Sequence, residues 1–190
     1  MRILFCGVGA LGSTAAVFVR NLDAELAFID FDRVESKNLL AQAYVKQSLG
    51  KNKAEALKLQ LSNFYGKKSD AFGVKLTAEN IDALCARADL LVDCFDNLKS
   101  RTLLSEFARK TNKALVHAAI SGDGTFGLVR WDERFKPDAE DTEGQATCEG
   151  GEHLPVIGAL GAALAGIIRD YAKNAVKRDV MVTLAAVTPT

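Results

Sequence analysis

The chain opens with MRILFCGVGALGS, an apolar strand over 2–6 that runs straight into Gly7, Gly9 and Gly12 before a helix predicted over 10–21. Few local patterns restrict a fold so tightly. The first glycine permits the sharp bend out of the strand, and the second lets a phosphate come up against bare backbone. The third lets the helix pack close to the sheet. That helix aims its free N–H groups and the positive end of its dipole at an anion. A glycine-rich turn can also do nothing but turn. Its place between a strand and a helix favours a nucleotide, without saying which one.

Past the turn, helices and strands alternate. Strands are predicted over 25–30, 71–76, 90–94, 114–120 and 125–131, and helices over 52–65, 77–85 and 98–111. Ala54, Leu57, Leu61 and Phe64 recur at helical spacing. Thr77 reads as the N-cap of the short helix, with Asn80 at the capping-box position. The run over 90–94 is continuously apolar, as in strands buried on both faces. This order implies an α/β fold, a doubly wound, Rossmann-like, mostly parallel sheet with flanking helices and the ligand beyond the C-terminal strand ends. One compositional break interrupts it, from Asp132 to His153, rich in Asp, Glu, Gly and Thr. A loop of this length in a compact domain is generally functional or disordered. An apolar helix over 155–172 follows, with Gly158, Gly161 and Gly166, and then a last apolar strand over 180–187.

At 190 residues the chain reads as one domain, 1–190, large enough to bury a core. Lys plus Arg and Asp plus Glu number 24 each, so net charge is zero and no broad basic face points to nucleic acid. Apolar runs are broken by glycine turns and charges, so no membrane span is expected. The opening segment reads as a core strand rather than a cleavable leader, and a cytoplasmic protein is expected. Cys6, Cys85, Cys94 and Cys148 form no C-x-x-C pair, so a four-cysteine zinc site is not expected. The first three read as small buried hydrophobes.

Chemistry concentrates at the strand ends. Asp30 stands where dinucleotide-binding folds place the acid that takes the ribose hydroxyls, so hydride transfer stays open at this point. IDFDRVESKNLLAQ adds Asp32, Asn38 and Gln42, and LGKNK puts Gly50 and Lys53 just before a helix. DCFDNLKSR ends a strand in Asp96 and Asn97, with Arg101 one helical turn on. Lys53 can neutralise phosphate oxygens as a point charge. Asp96 can hold Mg²⁺, which favours carboxylate together with phosphate oxygens. Taken singly, Lys53 is also a solvated lysine at a helix start, and Asp96 with Asn97 is also a helix cap. Arg101 could simply pair with Glu106 or Asp96. Hydride transfer needs neither the lysine nor the metal-holding acid, whereas cleavage of a nucleotide phosphate needs both.

In combination these segments resemble the ThiF/MoeB/HesA family, the ubiquitin-activating-enzyme-like adenylyltransferases, from Met1 to about Lys173. The resemblance rests on G-x-G-x-x-G at Gly7, D-x-D at Asp30 and Asp32, and N-L-x-x-Q at Asn38 to Gln42. It rests further on G-x-x-K at Gly50 to Lys53 and D-N-x-x-x-R at Asp96 to Arg101. HAAISGDGTFGLV and CEGGEHLPVIGALGAALAGI also look like later family segments. The family implies ATP with Mg²⁺ and a ubiquitin-like or sulfur-carrier protein ending in Gly-Gly. The partner's terminal carboxylate attacks the α-phosphate, releasing pyrophosphate and leaving an acyl-adenylate. Carried over by position, Gly7, Gly9, Ala10, Leu11 and Gly12 line the phosphates, and Asp30 holds ribose. Asp32, Asn38, Gln42 and Asn97 belong to the same nucleotide-binding motifs. Lys53 contacts phosphates, Asp96 organises Mg²⁺ or the attacking geometry, and Arg101 supports Asp96. A homodimer or related heterodimer is also implied.

The chain departs from the family in three respects. The N-L-x-R-Q arginine is Ala41 here, the usual N-terminal helix with its arginine is not present before the first strand, and zinc cysteines are missing. Loss of one such arginine costs roughly 10³-fold or more in rate in phosphoryl-transfer enzymes. Arg33, Lys37, Lys46 and Lys51 are the candidates to compensate. A nucleotide-binding, non-catalytic or half-site subunit completed by another protein is therefore the alternative, and an NAD-dependent oxidoreductase the third. Cys148 lies in the region the family uses as a crossover loop, which sometimes carries a cysteine nucleophile. Glu149 and Glu152 would raise its pKa, and His153 would offset them.

Overall fold

The computed structural model describes residues 1–136 and 151–190. Strands β1 (Arg2–Cys6), β2 (Glu25–Ile29), β3 (Ser69–Phe72), β4 (Leu90–Asp93) and β5 (Ala114–Ile120) form the parallel part of one eight-stranded sheet. Strands β6 (Phe126–Trp131), β7 (Val180–Thr183) and β8 (Val187–Pro189) extend it antiparallel, in the order β3-β2-β1-β4-β5-β6-β7-β8. The chain winds from β1 outward through β2 and β3, then returns to start the other half at β4. The strand order thus reverses between β1 and β4, where doubly wound sheets open a crevice at their C-terminal ends.

Alternation along the strands divides the core into two layers. Phe5, Phe28 and Val92 join one cluster with helices α1 (Ala10–Phe18), α2 (Lys53–Tyr65) and α5 (Leu154–Asn174). Leu4, Ile29, Leu91 and Leu115 face helices α3 (Ile81–Cys85) and α4 (Leu98–Thr111), through Ile81, Leu104 and Phe107. The doubly wound α/β reading is therefore correct.

Several boundaries differ from the sequence reading. Helix α1 stops at Phe18 rather than at residue 21. Strand β3 is Ser69–Phe72, not 71–76, because its pairing with β2 runs from Leu26↔Ser69 to Ile29↔Phe72. At Gly73 the chain then passes so close to Asn52 that a Cβ would lie 3.0 Å from its Cγ. The expected final strand over 180–187 is a hairpin. The Thr183 hydroxyl accepts from the backbone N–H groups of Ala185 and Ala186 and turns the chain, so β8 pairs back on β7. Helix α3 begins at Ile81, and Asn80 reaches back to accept the Thr77 N–H at 2.8 Å, the capping-box half the sequence suggested.

Helix α5 has the length and apolar content of a membrane span, contrary to the reading from broken apolar runs, but Ile157, Leu160, Leu164 and Ile168 are buried in the core. A Cβ on its Gly161 would lie 2.6 Å from Thr14 Cγ2, so that glycine serves close approach to α1. Gly158 and Gly166 have no such neighbour. Cys6 and Cys85 are buried, as expected; Cys94 lies half-buried just past β4 rather than inside it.

Candidate functional site

The glycine turn after β1 is built by contacts that leave no room for side chains. Gly7 adopts φ +84°, and a Cβ there would sit 2.8 Å from the Cys94 carbonyl oxygen. A Cβ on Gly12 would sit 2.1 Å from the carbonyl oxygen of Gly7. The first turn of α1 thus packs on the glycine loop itself, while Cys94 joins that loop to the end of β4. Gly9 is different, since a Cβ there would meet nothing within 4 Å. Bare backbone therefore faces open space at the N-terminus of α1, with Ala10 and Leu11 as its first helical residues.

Asp30 follows β2 and is buried. Its Oδ2 accepts from the Val8 N–H at 2.8 Å and its Oδ1 from the Asp32 N–H at 2.9 Å, so the acid fixes the glycine loop and its own turn. Burial raises its pKa, against the lowering effect of those two donors and of Lys53. Each carboxylate oxygen keeps a further lone pair for a hydroxyl donor.

Lys53 opens α2. Its ammonium lies 3.0 Å from Asp32 Oδ2, with the lysine side chain 9% exposed and the Asp32 side chain 49% exposed. Two neighbours fix the backbone around it. Asn52 caps α2 by accepting from the Glu55 N–H, and its amide donates to the Asp30 carbonyl at 2.8 Å. The Tyr44 hydroxyl donates to the Val8 carbonyl at 2.6 Å and lies 3.3 Å from the Lys53 carbonyl. The Lys53 side chain is therefore buried and paired with Asp32, not solvated as lysines at helix starts commonly are.

Asn38 and Gln42 take different parts. Asn38 is buried, and its Oδ1 accepts from the Glu35 N–H at 2.8 Å, which shapes the short 3-10 turn Ser36–Leu40. Gln42 Oε1 is buried and without a hydrogen-bond partner. Ala41, where the family arginine would stand, is buried in the core. Of the compensating candidates, Arg33 donates to the Gly50 carbonyl at 2.7 Å and Lys37 lies 3.6 Å from Glu35. Lys46 and Lys51 are exposed.

Beyond β4, Asp96 is exposed, and its Oδ1 is 3.4 Å from the Asn97 amide nitrogen. Asn97 caps α4 through the Ser100 N–H, as its type predicts. Arg101 meets neither Asp96 nor Glu106. Its Nε donates to the Phe95 carbonyl at 2.7 Å and its Nη2 to the Ala118 carbonyl at 2.8 Å. It supports the backbone beneath Asp96 instead of the carboxylate. Cys148 lies outside the described residues.

Sequence reasoning passed over the buried group beside this turn. Asp93 ends β4, directly across from His117 of β5, and His117 Nδ1 lies 2.7 Å from Asp93 Oδ2. His117 Nε2 lies 3.1 Å from Asp132 Oδ1. Asp132 also accepts from the Ser105 hydroxyl at 2.5 Å and from Arg109 Nε at 2.7 Å. The period-two placement of Asp93 after Leu91, and of His117 after Leu115, was the available signal.

A doubly wound sheet with a glycine turn after β1, a buried lysine opening α2 and an exposed acid beyond β4 defines a Rossmann-type α/β domain. The family model "ThiF family" matches residues 1–169, and the chain belongs to that family. The adenylyltransferase and sulfurtransferase UBA4 of Lodderomyces elongisporus is 29% identical over 175 residues, covering 86% of this chain and 38% of that protein. The SAMP-activating enzyme E1 of Haloferax volcanii is 30% identical over 122 residues, covering 63% of this chain and 45% of its own length. The chain thus spans about two fifths of the curated relatives it matches. Among solved structures, E. coli MccB with AMPCPP and MccA superposes with a TM-score of 0.77 at 17% identity, over 100% of this chain and 62% of that one. That likeness is one of fold.

Proposed function

We propose that this chain binds ATP with Mg²⁺ and transfers AMP to the C-terminal carboxylate of a ubiquitin-like or sulfur-carrier protein ending in Gly-Gly, in the cytoplasm. The observation that carries the reading is the buried Lys53 side chain, its ammonium 3.0 Å from Asp32 in the turn that Asp30 ties to Val8 of the glycine loop. A cation held in the turn beside the glycine loop suits the phosphates of a polyphosphate, whereas hydride transfer itself needs none. The relatives named as adenylyltransferases and the E1 of Haloferax volcanii support the same direction.

Asp96 fits a magnesium ion. Its carboxylate is exposed at the crevice, and Mg²⁺ commonly takes one or two carboxylates plus substrate phosphates rather than an all-protein cage. Among the described residues there is no group of three or more His, Cys, Asp or Glu that would form such a cage. When bound, the ion neutralises phosphate charge that grows as pyrophosphate departs. The chain's own residues orient and neutralise. Gly9 and the start of α1 receive phosphate oxygens, Lys53 leaves Asp32 to meet them, and Asp30 accepts from ribose with its remaining lone pairs. The carrier's carboxylate oxygen forms a bond to the α-phosphorus, and the bond from that phosphorus to the α–β bridging oxygen breaks. The carboxylate is already ionised at neutral pH, so no general base is needed, and catalysis is positioning plus charge neutralisation.

A second reading keeps the nucleotide and drops the chemistry. The buried methyl of Ala41 replaces a family arginine, which favours a subunit completed by a cation from another protein. Pyrophosphate exchange with a sulfur-carrier protein ending in Gly-Gly separates the two. Exchange that requires the carrier and disappears in Asp96→Ala supports adenylation. ATP binding with no exchange supports the completed-subunit reading.

A further inference from the structure

His117 is the one buried histidine among the described residues, and both its ring nitrogens face carboxylate oxygens: Asp93 Oδ2 at 2.7 Å and Asp132 Oδ1 at 3.1 Å. A neutral imidazole has only one N–H to donate, so one nitrogen would then point a lone pair at an anion. Two hydrogen bonds to ionised carboxylates require the imidazolium. Its surroundings come from four elements. Asp93 ends β4, Asp132 follows β6, and Arg130 of β6 is its cross-strand neighbour. From α4, Arg101 approaches Asp93 to 3.8 Å and Arg109 pairs with Asp132 at 2.7 Å. Phe135 lies flat on the ring, with centroids 3.8 Å apart and planes at 10°, and Arg101 sits 5.7 Å from the Phe135 centroid.

This cluster ends at the backbone that carries Asp96. Asp93 Oδ1 accepts from the Phe95 N–H at 2.9 Å, and Arg101 donates to the Phe95 carbonyl at 2.7 Å. Residue 95 is thus held at both its peptide groups, and the next residue is Asp96. We propose that His117 is a positioning residue of the nucleotide site, a charged bridge that fixes the Asp96 turn through Asp93 and ties it, through Asp132 and Phe135, to the start of the segment after β6. The inference rests on the reading of Asp96 as the magnesium-holding acid. Without the imidazolium, Asp93 and Asp132 would repel each other across the ring, and Asp93 would lose the donor that orients it toward the Phe95 N–H.

The burial of His117 lowers its pKa, and the hydrogen bonds to Asp132 and Asp93 outweigh that and raise it, in keeping with the geometry. The test joins two measurements. Nitrogen-15 NMR of histidine-labelled protein reads the ring directly; the chain has only 2 histidines, so His153→Gln assigns the signals. At neutral pH, His117 is expected to carry protons on both nitrogens. Calorimetry then compares ATP binding with Mg²⁺ and with EDTA in wild type, His117→Gln and Phe135→Leu. In His117→Gln the Mg²⁺-dependent gain in affinity is expected to fall by about 10- to 100-fold, as for residues that orient a metal ligand, with Mg²⁺-free binding unchanged. Phe135→Leu, a half-buried position that keeps the fold, is expected to lose about two- to fivefold of the gain. A neutral His117, or an undiminished Mg²⁺ gain in the folded variants, overturns the inference alone. A wild type without any Mg²⁺ gain overturns the underlying reading of Asp96, and the inference with it.

Discussion

Lys53 and His117 are both buried, yet only one is legible in the sequence. Lys53 sits in G-x-x-K just ahead of a helix, so a local window contains both its position and its task. His117 meets Asp93 only through the β4–β5 register and Asp132 only through the end of β6, and no local window contains those pairings. The same limit explains Arg101. Its spacing from Asp96 is one helical turn, but α4 turns its guanidinium onto the carbonyls of Phe95 and Ala118. Lys53→Ala should reduce ATP affinity roughly 10- to 100-fold, since hydrogen bonds to charged groups contribute about 1.5–3 kcal/mol. It should cost about 1 kcal/mol or less in stability, because Asp32 keeps access to water; calorimetry and urea unfolding read the two effects. His117 also sets a pH signature. Its folded pKa is raised above the ordinary value of 6.5, so its stabilising contribution is complete below that value and is lost as pH rises through the raised one. Thermal unfolding across that range should show stability declining toward alkaline pH, and His117→Gln should flatten the decline.

At the scale of elements, the glycine turn separates what folds from what binds. A Cβ at Gly12 collides with backbone at 2.1 Å, so Gly12→Ala should cost about 3 kcal/mol or more. A Cβ at Gly9 meets nothing within 4 Å, so Gly9→Ala should cost less stability than Gly12→Ala. It should nevertheless lose nucleotide binding, because the added methyl stands where phosphate approaches. Equal loss of stability in both variants would mean that Gly9 serves the fold alone. The strand-turn-helix unit is legible because one continuous stretch, Arg2 to Phe18, contains all of it. The ends of the sheet are less so: β3 is an edge strand, part-exposed and placed by its register on β2. The β7–β8 hairpin depends on the Thr183 hydroxyl closing a turn inside an unbroken apolar-looking run.

For the whole molecule, the outer side of α5 bears on assembly. Gly166, Ala162 and Arg169 line a shallow groove with Phe18 and Leu22, and Phe18 is half-exposed. We expect a dimer of this chain, or with a related chain, through that side. Light scattering at micromolar concentration should report a dimer, and Gly166→Arg should give a folded monomer, since a Cβ there meets nothing within 4 Å. A monomeric wild type would set that expectation aside. The overall winding is legible from alternating helices and strands, and the switch point between β1 and β4 gathers Gly9, Asp30, Lys53 and Asp96 from four separate stretches of sequence. Their placement at that end of the sheet is why signals that are weak one by one are proposed as one site. Calorimetric titration of the chain with ATP and Mg²⁺, set against titration with NAD⁺, tests that proposal most directly. Saturable ATP binding that strengthens with Mg²⁺ and loses that gain in Asp96→Ala, with NAD⁺ bound more weakly, is the expected result. Tighter binding of NAD⁺ than of ATP with Mg²⁺ would contradict it.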